Sequence, residues 1–250
     1  MAARTAKGGI VTARLADVWT QLASQPLLWL MATLAAYVTG RWVQDQTKGH
    51  PLANPVAIAI ILLAAALILT GTPYDTYING AQILNFLLGP ATVALAVPLY
   101  QNLDKVRRML PSLMVGLAIG STVGVLSSSG TALLLGASKP MVLTLAPKAV
   151  TSPIAMGISQ TLGGLPPLTA VLVILTGIFA GMFGWPILRL VGVHDPAAAG
   201  FAMGTAAHGI GTARAFQIDF TAGTFAGLGM GLNGLATAVI APPLMTLIMG

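Results

Sequence analysis

Residues 145–160 read Leu-Ala-Pro-Lys-Ala-Val-Thr-Ser-Pro-Ile-Ala-Met-Gly-Ile-Ser-Gln, an apolar run that contains a lysine, an adjacent pair of hydroxyls and two prolines. Because Pro147 and Pro153 each lack a backbone N–H, the run is predicted to break into shorter helices. Lys148 brings a charge into apolar sequence, where charge is costly and usually functional. An ammonium beside the hydroxyls of Thr151 and Ser152 suits a small carboxylate. The alternative interpretation is that Lys148 lies near a membrane surface and extends its ammonium to water.

The composition of the whole chain predicts a membrane protein. Of its 250 residues, 56% are hydrophobic and 7% are charged, whereas soluble domains have roughly 25% charged residues. So few charges cannot cover the surface of a soluble protein, and we expect an all-α, polytopic transmembrane helical bundle with interrupted helices and internal repeats. The net charge of +6 is interpreted as an orientation signal, because no basic cluster is interleaved with aromatic residues as nucleic-acid binding would require.

Residues that carry enzyme chemistry are scarce. The chain has no cysteine, which excludes disulfides and thiolate chemistry. Its three histidines are scattered along the chain, so we expect no metal site and no cofactor. No acidic residue can be placed beside His208 to orient it, as a serine hydrolase would require. The sequence therefore predicts no catalytic residues and no enzyme.

Two regions are predicted from the distribution of charge. Residues 1–25 carry three basic residues before any long apolar run and are expected to be a mobile N-terminal extension. Residues 26–250 are expected to form the transmembrane domain. Its first apolar run, 27–43, is flanked by basic residues and is interpreted as a retained helix, since the small-residue cleavage site of a signal peptide does not follow it.

The second apolar run has clear helix boundaries. Asn54 is a suitable N-cap, and Pro55 stands at the first helical position, where proline is tolerated. Apolar residues then continue from 56 to 70, and Gly71 and Pro73 are predicted to stop the helix. At about 1.5 Å per residue this segment barely crosses the hydrocarbon layer.

A two-part pattern repeats along the rest of the chain: an interrupted apolar segment, then a long helix with glycines at spacing four. The first unit is interrupted at Gly89-Pro90, continues through a polar hinge at 101–108 and ends in a helix over 112–135. A shift of 57 positions places Pro90 on Pro147 and leads into the second unit. A weaker third unit begins near Pro196. The glycine rows are Gly116, Gly120 and Gly124; Gly177 and Gly181; and Gly223, Gly227 and Gly231. They are predicted to pack helices closely, and interrupted repeats are typical of secondary transporters.

The third unit contains a second polar cluster. Residues 204–216 read Gly-Thr-Ala-Ala-His-Gly-Ile-Gly-Thr-Ala-Arg-Ala-Phe. Arg214 could bind a carboxylate through two parallel hydrogen bonds, and the glycine-rich backbone could add donors. It could equally be an interfacial anchor, because polar residues follow it. The ordinary pKa of a histidine lies near physiological pH, so His208 could carry a proton.

Three quoted motifs identify a family resemblance. Residues 86–100 (Phe-Leu-Leu-Gly-Pro-Ala-Thr-Val-Ala-Leu-Ala-Val-Pro-Leu-Tyr), 146–155 (Ala-Pro-Lys-Ala-Val-Thr-Ser-Pro-Ile-Ala) and 207–214 (Ala-His-Gly-Ile-Gly-Thr-Ala-Arg) closely resemble the LrgB/CidB family. That family includes the C-terminal half of the plant plastid glycolate/glycerate translocator. The likeness extends from about residue 28 to residue 247 and leaves out the N-terminal extension. Ala149 departs from the serine that the family motif places after Pro-Lys.

The resemblance implies a multi-pass protein of the cytoplasmic (inner) membrane that works with a small, holin-like LrgA/CidA-type membrane partner. Bacterial members are named for effects on murein hydrolase activity and autolysis, and others resemble carriers of pyruvate or related hydroxy- and keto-acids. The matching motif positions carry over as functional residues: Lys148, Thr151, Ser152, His208 and Arg214. No nucleic-acid partner is expected, and a homo-oligomer is left open.

Two functions are therefore weighed. The first is a secondary carrier of small monocarboxylates such as pyruvate, lactate, glycolate or glycerate. The second is a holin-like or antiholin-like pore or regulator of murein hydrolases. Polar residues concentrate at the helix interruptions rather than in a continuous stripe, which favours the carrier. The predicted substrate-binding residues are Lys148, Thr151, Ser152, His208, Gly211, Thr212, Arg214, Gly89, Pro90 and Thr92, with Pro147 and Pro153 as the helix breaks.

Overall fold

The computed structural model describes residues 18–48, 50 and 52–249, and these are helical with no strand among them. The predicted all-α class is confirmed. Of the predicted N-terminal extension, residues 1–17 lie outside the described residues, and residues 18–23 are helical. The chain divides into two compact units, residues 1–93 and 94–250.

After the helical residues 18–23, the described part of the first unit contains three further helices: α1 (Pro26–Gln46), α2 (Pro55–Thr70) and α3 (Tyr74–Ala94, whose last residue is assigned to the second unit). The predicted boundaries of α2 are confirmed. The side chain of Asn54 accepts hydrogen bonds from the first-turn N–H groups of Val56 and Ala57, and Gly71 ends the helix with a left-handed backbone, φ 64°. Gly40 of α1 lies directly against the backbone of Pro55, because a Cβ there would be 2.6 Å from the Pro55 carbonyl oxygen.

The second unit repeats the predicted pattern of an interrupted segment followed by a long helix. Its helices are α4 (Ala96–Gln101), α5 (Leu103–Leu134), α6 (Lys139–Leu145), α7 (Ser152–Leu162), α8 (Pro166–Leu190), α9 (Pro196–Ile218) and α10 (Phe220–Met249). The short helices α6 and α7 precede α8, and α9, which is kinked at His208, precedes α10. The interruption predicted within the run 145–160 lies at residues 146–151, between α6 and α7.

Three of the described helices, α5, α8 and α10, are long and apolar enough to cross a membrane. The bent pair Tyr74–Leu84 and Gly89–Gln101 would add a fourth if it forms one span. The helix α2 is apolar but has only 16 residues. Large apolar side chains are exposed on all three spans, for example Val123, Phe179 and Leu235, as expected for surfaces that face lipid.

The predicted polar hinge at 101–108 is wrong in extent. Only Asn102 separates α4 from α5, and α5 begins at Leu103. The basic residues of the predicted hinge therefore lie on the first turns of the long helix, where Arg107 and Arg108 are exposed and Lys105 is half-buried. Pro111 lies inside α5 without ending it, because the surrounding helix tolerates the loss of one backbone hydrogen bond.

The glycine rows do not all serve close packing, which corrects the prediction. The closest helix pair is α9 with α10, where Gly200 and Gly204 lie directly against the backbone carbonyls of Ala222 and Ala226. By contrast, a Cβ at Gly116 or at Gly124 would come no closer than 3.9 Å to any neighbouring residue, and one at Gly231 would meet nothing within 4 Å. A glycine at every fourth residue does not by itself show which row packs against another helix.

Candidate functional site

The interruption between α6 and α7 contains the lysine that the sequence singles out. Residues 146–149 form a turn, Lys148 N–H donates to the Leu145 carbonyl at 3.2 Å, and Val150 N–H donates to the Pro147 carbonyl at 3.2 Å. Pro147 is fully buried in this turn. Pro153 lies in the first turn of α7, where the missing N–H costs nothing. Pro147 thus lies within the break, and Pro153 begins the helix that follows it.

A buried network of hydrogen bonds connects α6, α7 and α8 around the turn. Thr169 Oγ1 donates to Ser159 Oγ at 2.7 Å, and Leu165 N–H donates to Thr144 Oγ1 at 2.9 Å. Thr144, Ser159 and Thr169 are completely buried. Buried networks in which every polar group has a partner restrict a segment to one arrangement. The break between α6 and α7 is therefore held in a defined conformation.

Lys148 is half-buried and lines a cavity of about 550 Å³ in the second unit. Within the part of the chain that the structure describes, its ammonium has no hydrogen-bond or ion-pair partner. One wall of the cavity comes from α5, one from the turn through Lys148 and Ala149, and one from α9. The α5 wall is formed by Met109, Ser112, Leu113, Gly116, Gly120, Val123, Gly124 and Ser127.

The α5 wall is a stripe along one face of the helix. From Met109 to Ser127 it extends roughly 27 Å at about 1.5 Å per residue, close to the roughly 30 Å thickness of a hydrocarbon layer. Glycines leave this face without side chains: a Cβ at Gly116 or Gly124 would come no closer than 3.9 Å to a neighbour, whereas one at Gly120 would be 3.3 Å from the Thr205 side chain of α9. On α5, the glycines predicted to pack helices together therefore also form a wall of the cavity, and Gly120 alone of the three is in close contact with α9.

The α9 wall is formed by Ala198, Phe201, Ala202, Thr205 and Ala206. It ends just before the kink at His208, where φ is 43° and ψ is −134°. A non-glycine residue in this region is strained, and such strain is commonly found at functional sites. The His208 ring points away from this wall, because its Nε2–H donates to the Val173 carbonyl of α8 at 2.9 Å.

The absence of a side chain at Gly177 makes room for the His208 ring, since a Cβ there would be 2.6 Å from His208 Cε1. Thr212 Oγ1 donates to the carbonyl of His208 at 2.9 Å and so braces the following turn. Gly211 is buried against the Met203 carbonyl of its own helix. These residues form the kink and do not line the cavity.

The other predicted site residues are not among the residues that line the cavity. Thr151 and Ser152 begin α7 next to Lys148 in the chain and are half-buried. Arg214 is half-buried near the end of α9 and donates to Gln217 Oε1 at 3.2 Å. Gly89, Pro90 and Thr92 lie on α3, where Gly89 and Pro90 are exposed; the Thr92 side chain is outside the described residues. Of the predicted set, the cavity includes Lys148.

The sequence interpretation overlooked an amide at the centre of this unit. Asn233 of α10 is almost completely buried. Its Nδ2 donates to the carbonyls of Thr205 at 2.8 Å and Ala149 at 3.3 Å, and its Oδ1 accepts from Ser121 Oγ at 2.7 Å. A lone amide inside an apolar, glycine-rich helix is itself a signal of function in a membrane protein.

Comparison with known proteins gives consistent results. The LrgB-like family model matches residues 33–247. An uncharacterized protein of Haemophilus influenzae is 35% identical over 215 residues, which is 86% of this chain and 90% of that protein. The holin-like protein CidB of Staphylococcus epidermidis is 32% identical, covering 89% of this chain and 97% of its own length. The protein YwbG of Bacillus subtilis is 33% identical, with 87% and 96% covered.

No solved structure gives a significant match. The family assignment therefore rests on sequence, and it agrees with the motifs at the α6–α7 break and the α9 kink. With 215 matched positions and several relatives above 30% identity along almost their whole length, the chain belongs to the LrgB-like family.

Proposed function

We propose that this chain passes small anions across a membrane and that Lys148 holds the anion in the cavity between α5, the α6–α7 turn and α9. The observation that carries the proposal is the half-buried ammonium of Lys148, which has no partner among the described residues and faces a largely apolar cavity. A cation at membrane depth is unfavourable by about 2.5 to 3.5 kcal/mol on insertion scales. A bound carboxylate would offset that cost.

The dimensions of the cavity support a small solute. Ligand sites commonly occupy about 300 to 1,000 Å³, and this cavity of about 550 Å³ would hold an acid of two or three carbons together with water. The long stripe on α5 gives such a solute a path over most of a hydrocarbon layer. Apolar walls with one positive group would attract an anion without holding it too tightly to leave, as transport requires.

The specific proposal is a secondary carrier of monocarboxylates such as pyruvate, lactate, glycolate or glycerate. On this proposal the chain is a multi-pass protein of the cytoplasmic (inner) membrane, has no enzymatic activity, and works with a small LrgA/CidA-like membrane protein. Thr151 and Ser152 at the start of α7 would provide further donors when the turn rearranges. This reading is supported by the charge of Lys148 and by the interrupted helices, which are typical of carriers.

The second candidate is a holin-like function, and the comparisons favour it over the carrier. Relatives in Staphylococcus epidermidis and Staphylococcus aureus, 32% and 30% identical to this chain, are named holin-like protein CidB. Here the chain would form or regulate a larger opening and thereby affect murein hydrolases. The cavity at Lys148 would then be part of a wider pathway, formed with further copies of the chain or with the small partner.

Transport by purified protein in liposomes separates these functions. Uptake of labelled pyruvate, lactate and glycolate would be measured with and without the small partner, together with release of an enclosed fluorescent dye. A carrier gives saturable uptake of a subset of the acids and retains the dye. A pore releases the dye and does not discriminate among the acids. Anion movement that is identical in empty liposomes would overturn both functions.

A further inference from the structure

We infer that Asn233 is a positioning residue that holds the two interrupted helices together and thereby sets the width of the Lys148 cavity. The inference deepens the proposed function and rests on it for what the cavity admits. Asn233 itself is not part of the cavity lining. Its side chain lies behind the three walls and is hydrogen-bonded to each of them.

Each wall of the cavity is tied to the amide of Asn233, through a lining residue on the α6–α7 turn and on α9 and through the neighbour of a lining residue on α5. On α5 the tie is Ser121, which follows Gly120 and donates its hydroxyl at 2.7 Å. On the α6–α7 turn the tie is the carbonyl of Ala149, at 3.3 Å. On α9 the tie is the carbonyl of Thr205, at 2.8 Å. A single side chain therefore connects the turn that carries Lys148 with the helix that carries the kink.

The chemistry of the two ends of the amide differs. Nδ2 has two hydrogens and donates one to each interrupted element, at Ala149 and at Thr205. Oδ1 accepts from Ser121 and, at 3.3 Å, from Thr237 of its own helix. An asparagine is the side chain that can fill both roles at this size, since a carboxylate accepts only and an apolar residue does neither. Nδ2 therefore links the α6–α7 turn to α9, and Oδ1 links Asn233 to α5.

The surroundings make this joint hard to replace. Asn233 is 1% exposed, so water cannot take over its bonds. Among the described residues no buried side-chain nitrogen or oxygen is left without a partner. Removal of the amide would take this side-chain partner from two backbone carbonyls and two hydroxyls, and buried polar groups that lose their partners are costly. The turn and α9 would then separate to reach water through the cavity.

Cysteine labelling tests this inference without any transport assay, because the native chain has no cysteine. A single cysteine at Ala202, on the α9 wall, reports access to the cavity, and its alkylation rate by a water-soluble maleimide would be measured in membranes. Asn233→Leu and Asn233→Asp both lose the two N–H donors at neutral pH. We expect each to raise the alkylation rate about tenfold or more, because both hydrogen bonds that join the turn to α9 are lost and a tenfold change corresponds to about 1.4 kcal/mol.

The controls separate positioning from general destabilisation. Thr237→Val keeps all three ties to the walls and is expected to change the rate at the Ala202 position less than about threefold. Ser121→Ala loses the α5 tie alone and keeps both N–H donors, so it is expected to raise the rate less than either Asn233 variant does. A second reporter, a cysteine in place of the completely buried Ser129, should stay unreactive in every variant that remains folded. If Asn233→Leu does not fold, Asn233→Asp, which keeps the side-chain size, supplies the result.

Two outcomes would overturn the inference. One is an unchanged rate at the Ala202 position in both Asn233 variants. The other is an equal rise in Ser121→Ala, which would mean that packing against α5, and not the joint between the breaks, sets the cavity width. Failure of the proposed function is visible separately, as normal anion uptake by Lys148→Met, and it does not affect the labelling result.

Discussion

The Nε2–H of His208 donates a hydrogen bond to the carbonyl of Val173 at 2.9 Å. This bond connects the non-helical point of α9 to the middle of α8 and holds the imidazole in a space that Gly177 leaves open. The sequence analysis predicts that His208 could carry a proton and counts it, with Lys148, among the substrate-binding residues. In this structure the imidazole instead braces the kink, and a proton-sharing role would require the ring to leave α8.

Gly177→Ala tests the contact between His208 and α8. A Cβ at this position would lie 2.6 Å from His208 Cε1, so the ring must move and its bond to Val173 should weaken. Overpacking of this kind typically costs about 1 to 3 kcal/mol. We expect a lower thermal unfolding midpoint in detergent. Gly157→Ala, at a helical glycine with no atom within 4 Å of the added Cβ, is the matched control and should keep the native midpoint or raise it.

The contact of Gly204 with Ala226 predicts the strongest packing defect. A Cβ at Gly204 would overlap the backbone carbonyl of Ala226, and a backbone cannot rotate away as a side chain can. Gly204→Ala should therefore separate α9 from α10 and sharply reduce the yield of folded protein. Gly116→Ala adds the same methyl group where the nearest atom is 3.9 Å away. Equal folded yields for the two variants would contradict this account of the helix pair.

Local features of the chain were predictable, because they depend on neighbours in sequence. Asn54 caps α2 because its side chain accepts hydrogen bonds from the first turn, and Gly71 ends α2 because glycine readily adopts a left-handed backbone. Pro147 interrupts the helix because no context restores its missing N–H. The order of interrupted segments and long helices likewise follows from composition. These features need no knowledge of which helix lies beside which.

The function of the glycine row on α5 could not be predicted in the same way. A glycine every fourth residue creates a smooth helix face, but the pattern is the same whether a second helix or a cavity covers that face. The difference is set by Phe201 and Ala149, which stand 3.9 Å from where the Cβ atoms of Gly116 and Gly124 would be. The bonds of Asn233 to Ala149 and Thr205 likewise join segments 84 and 28 residues apart.

Gly116→Leu tests whether the cavity is the path of the anion. The added side chain would extend into the open space beside α5, so we expect the protein to fold while uptake in liposomes falls about tenfold or more, as expected when bulk blocks a preformed site. Gly231→Leu on α10, where a Cβ meets nothing within 4 Å, is the control and should transport normally. Normal uptake by folded Gly116→Leu would place the path elsewhere.

The substitution Lys148→Met tests the proposed anion site directly. Methionine keeps the length and apolar packing of the stem and removes the charge, so the protein should fold and insert at least as well as the native chain. Uptake of the acid should collapse, because the remaining lining of the cavity is uncharged. Lys139→Met is the matched control, since Lys139 is exposed and donates to the Met249 carbonyl at 3.0 Å.

Lys148→Arg tests whether the anion site requires the compact ammonium of lysine or accepts the planar guanidinium of arginine. A guanidinium presents its donors in a fixed plane, whereas an ammonium can turn its three donors toward a small anion in a narrow cavity. If Lys148 binds the acid directly, arginine should restore only part of the uptake at equal amounts of protein in the membrane. If Lys148 merely extends to a membrane surface, either cation serves, and methionine should also leave both the rate and the substrate affinity unchanged. Near-normal uptake by Lys148→Met would therefore remove Lys148 from the transport path.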